Sequence, residues 1–270
     1  MPRAGTTCCS ARLPRLAKAA ELPSDGAYGS GHASVYDDLY EGRGKDYAAE
    51  SQLIATLIGA RRRGAASLLD VGCGSGRHLE YLATTFADVA GSEPSDAMRD
   101  YARQRLPDVA LFDQGLPDLR LDRRFDAVIC MFSVIGYVGG ETGSVDALDA
   151  AVAAMAGHLT PGGVLLVEPW MFADQYRVGH VGTDFTRTPA GRAIFRMSHS
   201  GITGAGRVSV LTMNYLVGDD DGVTHFEDTH LLTMYTRPEL EAAFRRAGLS
   251  FEFVDDVFTR GVAIGVAPLT

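Results

Sequence analysis

The stretch Leu68-Leu69-Asp70-Val71-Gly72-Cys73-Gly74-Ser75-Gly76-Arg77 constrains this chain more than any other. An apolar run enters a turn with three alternating glycines and leaves it amphipathic, which is the pattern of a buried strand, a tight turn and a helix. Glycine at such a turn lets the backbone approach a ligand closely. A nicotinamide dinucleotide fingerprint needs G-x-G-x-x-G, but here the third glycine comes one residue early and Arg77 holds its place. Asp70, two residues before the first glycine, has no role in that fingerprint. Glu93 follows Gly72 by 21 residues, at the end of the next apolar run, where an acid can accept hydrogen bonds from both hydroxyls of a ribose. The plainer readings are a strand-end cap for Asp70, a surface acid for Glu93 and simple turn glycines.

Length and charge narrow the classes. With 270 residues, 46% hydrophobic and 22% charged, the chain suits one globular domain carrying an insertion, not a collagen, a disulfide scaffold or a disordered segment. The longest nearly apolar run, from Ala127 to Val138, is broken by Ser133 and Gly136 and is too short for a membrane span. Net charge is −9 overall and +2 over residues 1–27, so residues 28–270 carry −11, which disfavours nucleic acid as a partner. Cys8, Cys9, Cys73 and Cys130 match neither a disulfide framework nor a zinc site, so a reducing, cytoplasmic setting is expected. Arg12, Pro14, Arg15 and Lys18 interrupt every candidate apolar core of a secretory signal.

Along the chain, short apolar strands alternate with amphipathic helices, the α/β pattern. A helix is predicted from Asp46 to Ile58, then a strand from Ser67 to Val71 and a helix from Gly76 with Leu79, Leu82, Ala83 and Phe86 on one face. A strand from Val89 to Ser92 leads to a helix capped by Ser95. Further strands are expected from Val109 to Phe112, from Phe125 to Phe132 and from Val164 to Glu168, the last after a helix from Ser144 to Leu159. Beyond Trp170 the period changes, and three strands (Arg192 to His199, Arg207 to Val217, Val223 to Tyr235) read as an antiparallel meander. Thr236 caps a last helix, and Phe251 to Val257 pairs with Val262 to Val266 as a hairpin. The expected architecture is therefore a seven-stranded, mostly parallel sheet with an antiparallel β-meander inserted after the fifth strand. It divides into a flexible extension (1–27), an α/β core (28–170), an insertion serving as substrate lid or dimer surface (171–236) and a closing helix and hairpin (237–270).

The glycine turn with Asp70 resembles the first motif of the class I S-adenosylmethionine-dependent methyltransferases, a Rossmann-like fold in which that acid meets the methionine end of the cofactor. From about Tyr28 onward the chain resembles the TDP-amino-sugar N,N-dimethyltransferases, which finish the dimethylamino sugars of macrolides and related antibiotics (the desosamine and mycaminose type). The carriers are Tyr36-Asp37, Gly42-Arg43-Gly44-Lys45-Asp46-Tyr47, the run from Arg124 to Val128, Cys130-Met131-Phe132-Ser133-Val134-Ile135-Gly136-Tyr137, Val167-Glu168-Pro169-Trp170, Ser198-His199-Ser200 and Arg260-Gly261. In one place the chain departs: the family's Gly-Asp pair, whose acid helps read adenine, is replaced by Gly115-Leu116-Pro117-Asp118, which shifts that contact to Asp113, Asp118 or backbone.

The resemblance implies a cofactor site of Tyr28, Tyr36, Tyr47, Asp70, Gly72, Gly74, Gly76, Glu93 and Met131, the tyrosines offering aromatic faces to the sulfonium or hydroxyls to the methionine carboxylate. It also implies a sugar-nucleotide site of Ser133, Glu168, Trp170, Arg177 and Arg260, with the guanidinium groups matched to the diphosphate. Methyl transfer to a neutral amine is an in-line displacement that needs alignment and no metal. Tyr137 is the candidate for positioning the amine or accepting its proton; its plainer reading is an aromatic that shapes the pocket. No neighbouring His-acid pair is expected to activate it, and His199, His225 and His230 read as solvated or structural residues of the meander. The rival readings are an O-methyltransferase or other small-molecule methyltransferase, and a catalytically silent cofactor-binding protein. A homodimer is expected.

Overall fold

The computed structural model describes residues 28–270 and the backbone of a two-residue strand, β1 (Ala20–Glu21). The expected extension over residues 1–27 otherwise lies outside the described residues. Two short helices that the sequence did not announce, α1 (Ser30–Ala33) and α2 (Tyr36–Gly42), precede α3 (Tyr47–Arg61), whose first turn is capped by Asp46 accepting from the Ala49 amide at 2.9 Å.

The chain then lays down β2 (Ser67–Val71), α4 (Arg77–Leu82), β3 (Asp88–Ser92), α5 (Asp96–Arg105), β4 (Ala110–Phe112), β5 (Phe125–Cys130), α6 (Val145–Gly157) and β6 (Leu159–Val167). Ser95 and Ser144 cap α5 and α6 through backbone amides three residues on. After the second sheet, α7 (Arg237–Arg246) starts from a capping box of Thr236 and Glu239, and β11 (Glu252–Val254) and β12 (Val262–Val266) close the core.

Seven strands order as β11-β12-β6-β5-β2-β3-β4, with β12 alone antiparallel to its neighbours. Side chains alternate across this sheet. Leu69, Val71, Val128, Cys130 and Leu165 face α6 and α7, while Leu68, Ala127, Ile129, Val164 and Leu166 pack with Ile54, Ile58, Leu79 and Leu82 of α3 and α4. Burial on both faces explains the near-continuous apolar runs of the parallel strands.

A second sheet holds β7 (Val181–Arg187), β8 (Ala193–Thr203), β9 (Val208–Asp219) and β10 (Gly222–Thr233), all antiparallel, with β1 in parallel along β10. Its inner face, with Ile194, Met213, Tyr215, Val217 and Phe226, packs on Val35 and Leu39 of the segment carrying α1 and α2. On its outer face Val181, Phe185, Met197, Leu216 and Val223 are exposed. The meander thus has four strands where three were expected. In β7 the apolar residues face outward and the inward ones are Gly182, Asp184 and Thr186, so its apolar alternation points away from any core. Other boundaries moved as well: β5 stops at Cys130 because Phe132 and Ser133 adopt left-handed backbone (φ 53° and 71°), α4 ends at Leu82, β6 begins at Leu159 and not at Val164, β8 runs on to Thr203, and β11 is only three residues long.

Candidate active site

In chain order the sheet grows outward from β2 to β4 on one side, then restarts at β5 on the other. Ligands of open α/β sheets sit at such a switch point, at the carboxyl ends of the strands. There Gly72, Gly74 and Gly76 take positive φ (74°, 57° and 79°), and the amides of Gly72 and Cys73 both donate to the Ser92 carbonyl of β3. A cavity of about 560 Å³ opens above the turn, lined by Gly72, Gly74, Glu93, Met98, Leu116 and Val138 among others.

Glu93 ties this cavity together, accepting from the Gly74 amide at 3.0 Å and from the Ser95 amide at 2.8 Å. Burial raises its carboxyl despite those donors. Asp70, at 2% exposure, is pushed up to about 7 by burial, with the charge of Glu93 adding to the effect. Two carboxylates held reluctantly ionised beside one cavity suit a cationic ligand, whose charge would favour their ionised forms.

A second cavity of about 560 Å³ adjoins the first and has a different lining: Arg43, Lys45, Arg196 and Arg260 against Asp46 and Glu50, with Tyr40, Ser133, Trp170 and Met213. Arg260 is braced by Glu168 at 3.2 Å and lies 4.7 Å from the Trp170 ring centre. Lys45 bonds to Glu50 and sits 4.1 Å from the centre of the Phe132 ring. Glu168 also accepts from the Phe132 amide at 2.7 Å, which holds the left-handed backbone of that residue in place.

Three residues line both cavities: Tyr28, Phe132 and Tyr137. They form the border between the two. Tyr137 Oη lies 3.0 Å from Tyr28 Oη and 2.5 Å from His230 Nδ1. His230 Nε2 in turn meets Asp228 at 2.9 Å, and His32 Nδ1 bonds to the same carboxylate oxygen. These imidazole partners hold Asp228 well below the usual carboxylate range, against its own burial. Burial also pushes the Tyr28 and Tyr137 phenols up.

The expected site residues divide accordingly. Tyr28, Tyr36, Gly72, Gly74 and Glu93 line the first cavity, and Tyr28, Ser133, Tyr137, Trp170 and Arg260 the second. Of the two acids considered for adenine, Asp118 is in the first lining and Asp113 is not. Asp70 is buried at the end of β2, Gly76 caps α4 beneath Ala102 and Leu106, and Glu168 acts on the second cavity through Arg260 and Phe132. Tyr47 packs on His78 and Lys45, and Met131 lies in the core with Ile54 and Leu79, so neither lines a cavity. Arg177 is not brought to the site. It is exposed in the loop before β7, whose Gly179 amide docks on the Ser200 carbonyl of β8, away from both linings.

The sequence reading did not single out His32, Tyr40, Arg196 or Asp228, and it took His230, which is buried and lines the second cavity, for a solvated or structural residue. Its statement that no His-acid pair neighbours Tyr137 is overturned, because β10 delivers Asp228 and His230 from one face of a strand. The alternation Asp228-x-His230 was the available signal, but it marks a shared face without saying what that face meets.

The methyltransferase domain family matches residues 68–163. The dTDP-3-amino-3,4,6-trideoxy-alpha-D-glucopyranose N,N-dimethyltransferase of Streptomyces venezuelae is 46% identical over 237 residues, 87% of this chain and 97% of that protein. Among solved structures, Streptomyces venezuelae DesVI superposes with a TM-score of 0.82 at 45% identity over 87% of this chain and 98% of its own. The S-adenosylmethionine-bound amino pentose methyltransferase CalS10 of Micromonospora echinaspora superposes with a TM-score of 0.77 at 43% identity, over 86% and 96% of the two chains. With its switch-point glycine turn, its paired acids and relatives matched over nearly their whole length, the chain belongs to the S-adenosylmethionine-dependent dTDP-amino-sugar N,N-dimethyltransferases, on the class I methyltransferase fold.

Proposed function

We propose that the protein methylates the amino nitrogen of a TDP-linked amino-deoxysugar twice, using S-adenosylmethionine, in the making of an antibiotic-type natural product. One observation carries this reading: an acid-lined cavity at the glycine turn and a cation-rich cavity share a border of only three lining residues, Tyr28, Phe132 and Tyr137. A methyl donor in the first and a diphosphate-bearing acceptor in the second would meet there.

The first cavity fits the cofactor chemically. Glu93 offers carboxylate oxygens suited to a ribose diol, Asp70 lies behind the turn for the methionine ammonium, and Leu116, Val134 and Val138 give an apolar wall for adenine, with Asp118 at its edge. When bound, the cofactor supplies the methyl group as a sulfonium. Tyr28 and Tyr36 present aromatic faces to the cavity that would hold it. In the second cavity Arg260 is pre-aimed by Glu168 and Trp170, and with Arg43 and Lys45 it forms the diphosphate side of the site.

The same reading keeps residues 28–170 as the cofactor-binding core, residues 171–236 as the insertion that walls the sugar site, and residues 237–270 as the closing segment. It takes the protein as a homodimer joined through the outer face of β7–β10, and as cytoplasmic, since Cys73 and Cys130 are free, buried thiols. No helix among the described residues is long and apolar enough to cross a membrane. The net charge of −9 weighs against nucleic acid as a partner.

Mass spectrometry of products from a panel of TDP-3-amino and TDP-4-amino deoxysugars tests the proposal. Two successive methyl additions to one nitrogen are expected. A single addition, placed on a hydroxyl by NMR of the product because its mass equals that of one N-methyl, would favour the O-methyltransferase reading, and cofactor binding with no product from any panel member would favour a silent binding protein.

A further inference from the structure

We propose that Tyr137, His230 and Asp228 form a proton relay that takes the ammonium proton left on the sugar nitrogen by the first methyl transfer, so that the same nitrogen can be methylated again. The inference rests on reading the protein as an amine dimethyltransferase.

Dimethylation raises a problem that single methylation does not. In each transfer the nitrogen lone pair forms the new C–N bond as the methyl–sulfur bond breaks, and the nitrogen is left as an ammonium. A free amine can lose its proton to water before it binds, but the monomethylated nitrogen acquires its surplus proton inside the site. It has no lone pair until that proton leaves.

The border between the cavities holds the parts for its removal. Tyr137 lines both cavities, and His230 lines the second. A lone phenol would serve poorly as the base here, because burial holds Tyr137 well above its ordinary range and makes a phenolate unfavourable. The wiring behind it changes the step. With Asp228 ionised, the proton of a neutral His230 sits on Nε2, donated to Asp228 at 2.9 Å. That leaves Nδ1 as an acceptor, 2.5 Å from Tyr137 Oη, so the single phenol proton goes to His230, the 3.0 Å contact with Tyr28 runs with the Tyr28 hydroxyl as donor, and one lone pair of Tyr137 Oη is left for the ammonium.

The ammonium proton then passes to Tyr137 Oη as the phenol's own proton passes to His230 Nδ1. The outcome is an imidazolium paired with the Asp228 carboxylate and a phenol that is neutral again. His230 holds this one proton, as an imidazolium between Tyr137 and Asp228, through the second transfer, and gives it up when the product leaves the second cavity and solvent enters. His32 donates from Nδ1 to the same Asp228 oxygen, fixing the carboxylate from the other side, while its Nε2 is buried without a partner. The other groups facing this cluster are Tyr28 from the segment before α1, Tyr36 from α2, Tyr215 from β9 and Arg196 from β8. A ring nitrogen of His32, a ring nitrogen of His230 and a carboxylate oxygen of Asp228 lie within 4.8 Å of one another, and that closeness is taken up by hydrogen bonds to a single oxygen.

The test uses wild type, His230→Gln, Asp228→Asn and Tyr137→Phe with the amino-sugar nucleotide that the wild type dimethylates. Mono- and dimethylated products are followed by mass spectrometry between about pH 6 and about pH 9, and thermal melting with cofactor titration shows that each variant is folded. Each variant is expected to slow the second transfer on the order of 10²-fold at the acidic end and to accumulate the monomethyl product. The deficit should shrink as pH rises and water removes the proton unaided. Nitrogen NMR of His230 in the ligand-free protein should place its proton on Nε2 in wild type and show that placement lost in Asp228→Asn. Folded His230→Gln with unchanged product ratio and pH profile overturns the relay, as does a pH-independent loss shared equally by both transfers. A wild-type His230 protonated on Nδ1 overturns it with no substrate present, which separates this failure from that of the dimethyltransferase reading, where wild type itself methylates no amino sugar.

Discussion

Asp70 and Glu93 carry the electrostatics of the first cavity, and their buried carboxyls make it pH-sensitive. Asp70 titrates near 7 in the folded protein and near 3.8 when exposed, so between those values the native state holds a proton that the unfolded chain does not. Stability of the ligand-free protein therefore falls as pH rises through this window, by about 1.4 kcal/mol per pH unit from this group. Melting curves should show Asp70→Asn removing that slope and melting higher than wild type above pH 7, while cofactor affinity drops. An unaltered slope would mean that Asp70 is already ionised in the native state. Glu93→Gln keeps the size of the side chain and removes its charge. Cofactor affinity by calorimetry should fall roughly 10- to 100-fold, since hydrogen bonds to charged groups net about 1.5–3 kcal/mol. Undiminished affinity would remove Glu93 from the cofactor site. At this scale the sequence pointed to Asp70 and Glu93, which sit beside the motif, and could not point to the pairing of His230 with Tyr137, which is distant in the chain.

Among the elements, the turn from β2 to α4 is the most demanding. A Cβ on Gly72 would stand 2.6 Å from both methyl carbons of Val134, a β-branched side chain with little freedom to move, and φ there is +74°. At Gly74 φ is +57°, but a Cβ would meet only Met98 Cε, at 3.3 Å, the far end of a flexible side chain. Gly72→Ala should therefore destabilise more than Gly74→Ala, which bears little beyond the left-handed backbone penalty of about 1–2 kcal/mol. Denaturant unfolding of both variants checks the order, and equal losses would mean that Val134 gives way. The strand, turn and helix were legible because each has its own local signal. By contrast β7, α1 and α2 lack one: β7 points its apolar residues outward, and the two short helices are held by packing on the second sheet.

For the whole molecule, the exposed face of β7–β10 is the surface left over. Phe185, Phe195 and Leu216 lie in one rung across three strands, with Met197 on the same face. Such a face seeks a partner, and a second copy of the chain is the one we expect. Phe185→Asp with Leu216→Asp should turn the proposed dimer into a monomer by light scattering after size exclusion, with cofactor affinity unchanged because the first cavity belongs to the other sheet. A wild type that is already monomeric would remove this role from the face.

The α/β class, the seven-stranded sheet, the glycine turn with its two acids and the family were all determined by the sequence alone. Each rests on local periodicity, on a turn that glycine alone tolerates or on motifs a few residues long. Only the tertiary structure decided which side chains from remote segments meet. It put Tyr28 and Tyr137 on the border of two cavities, set Asp228 and His230 behind them, and left Arg177 outside. The physical reason is that a strand's alternation determines which residues share a face, while what that face meets depends on how α1, α2 and the second sheet dock, and docking leaves no periodic trace in the chain.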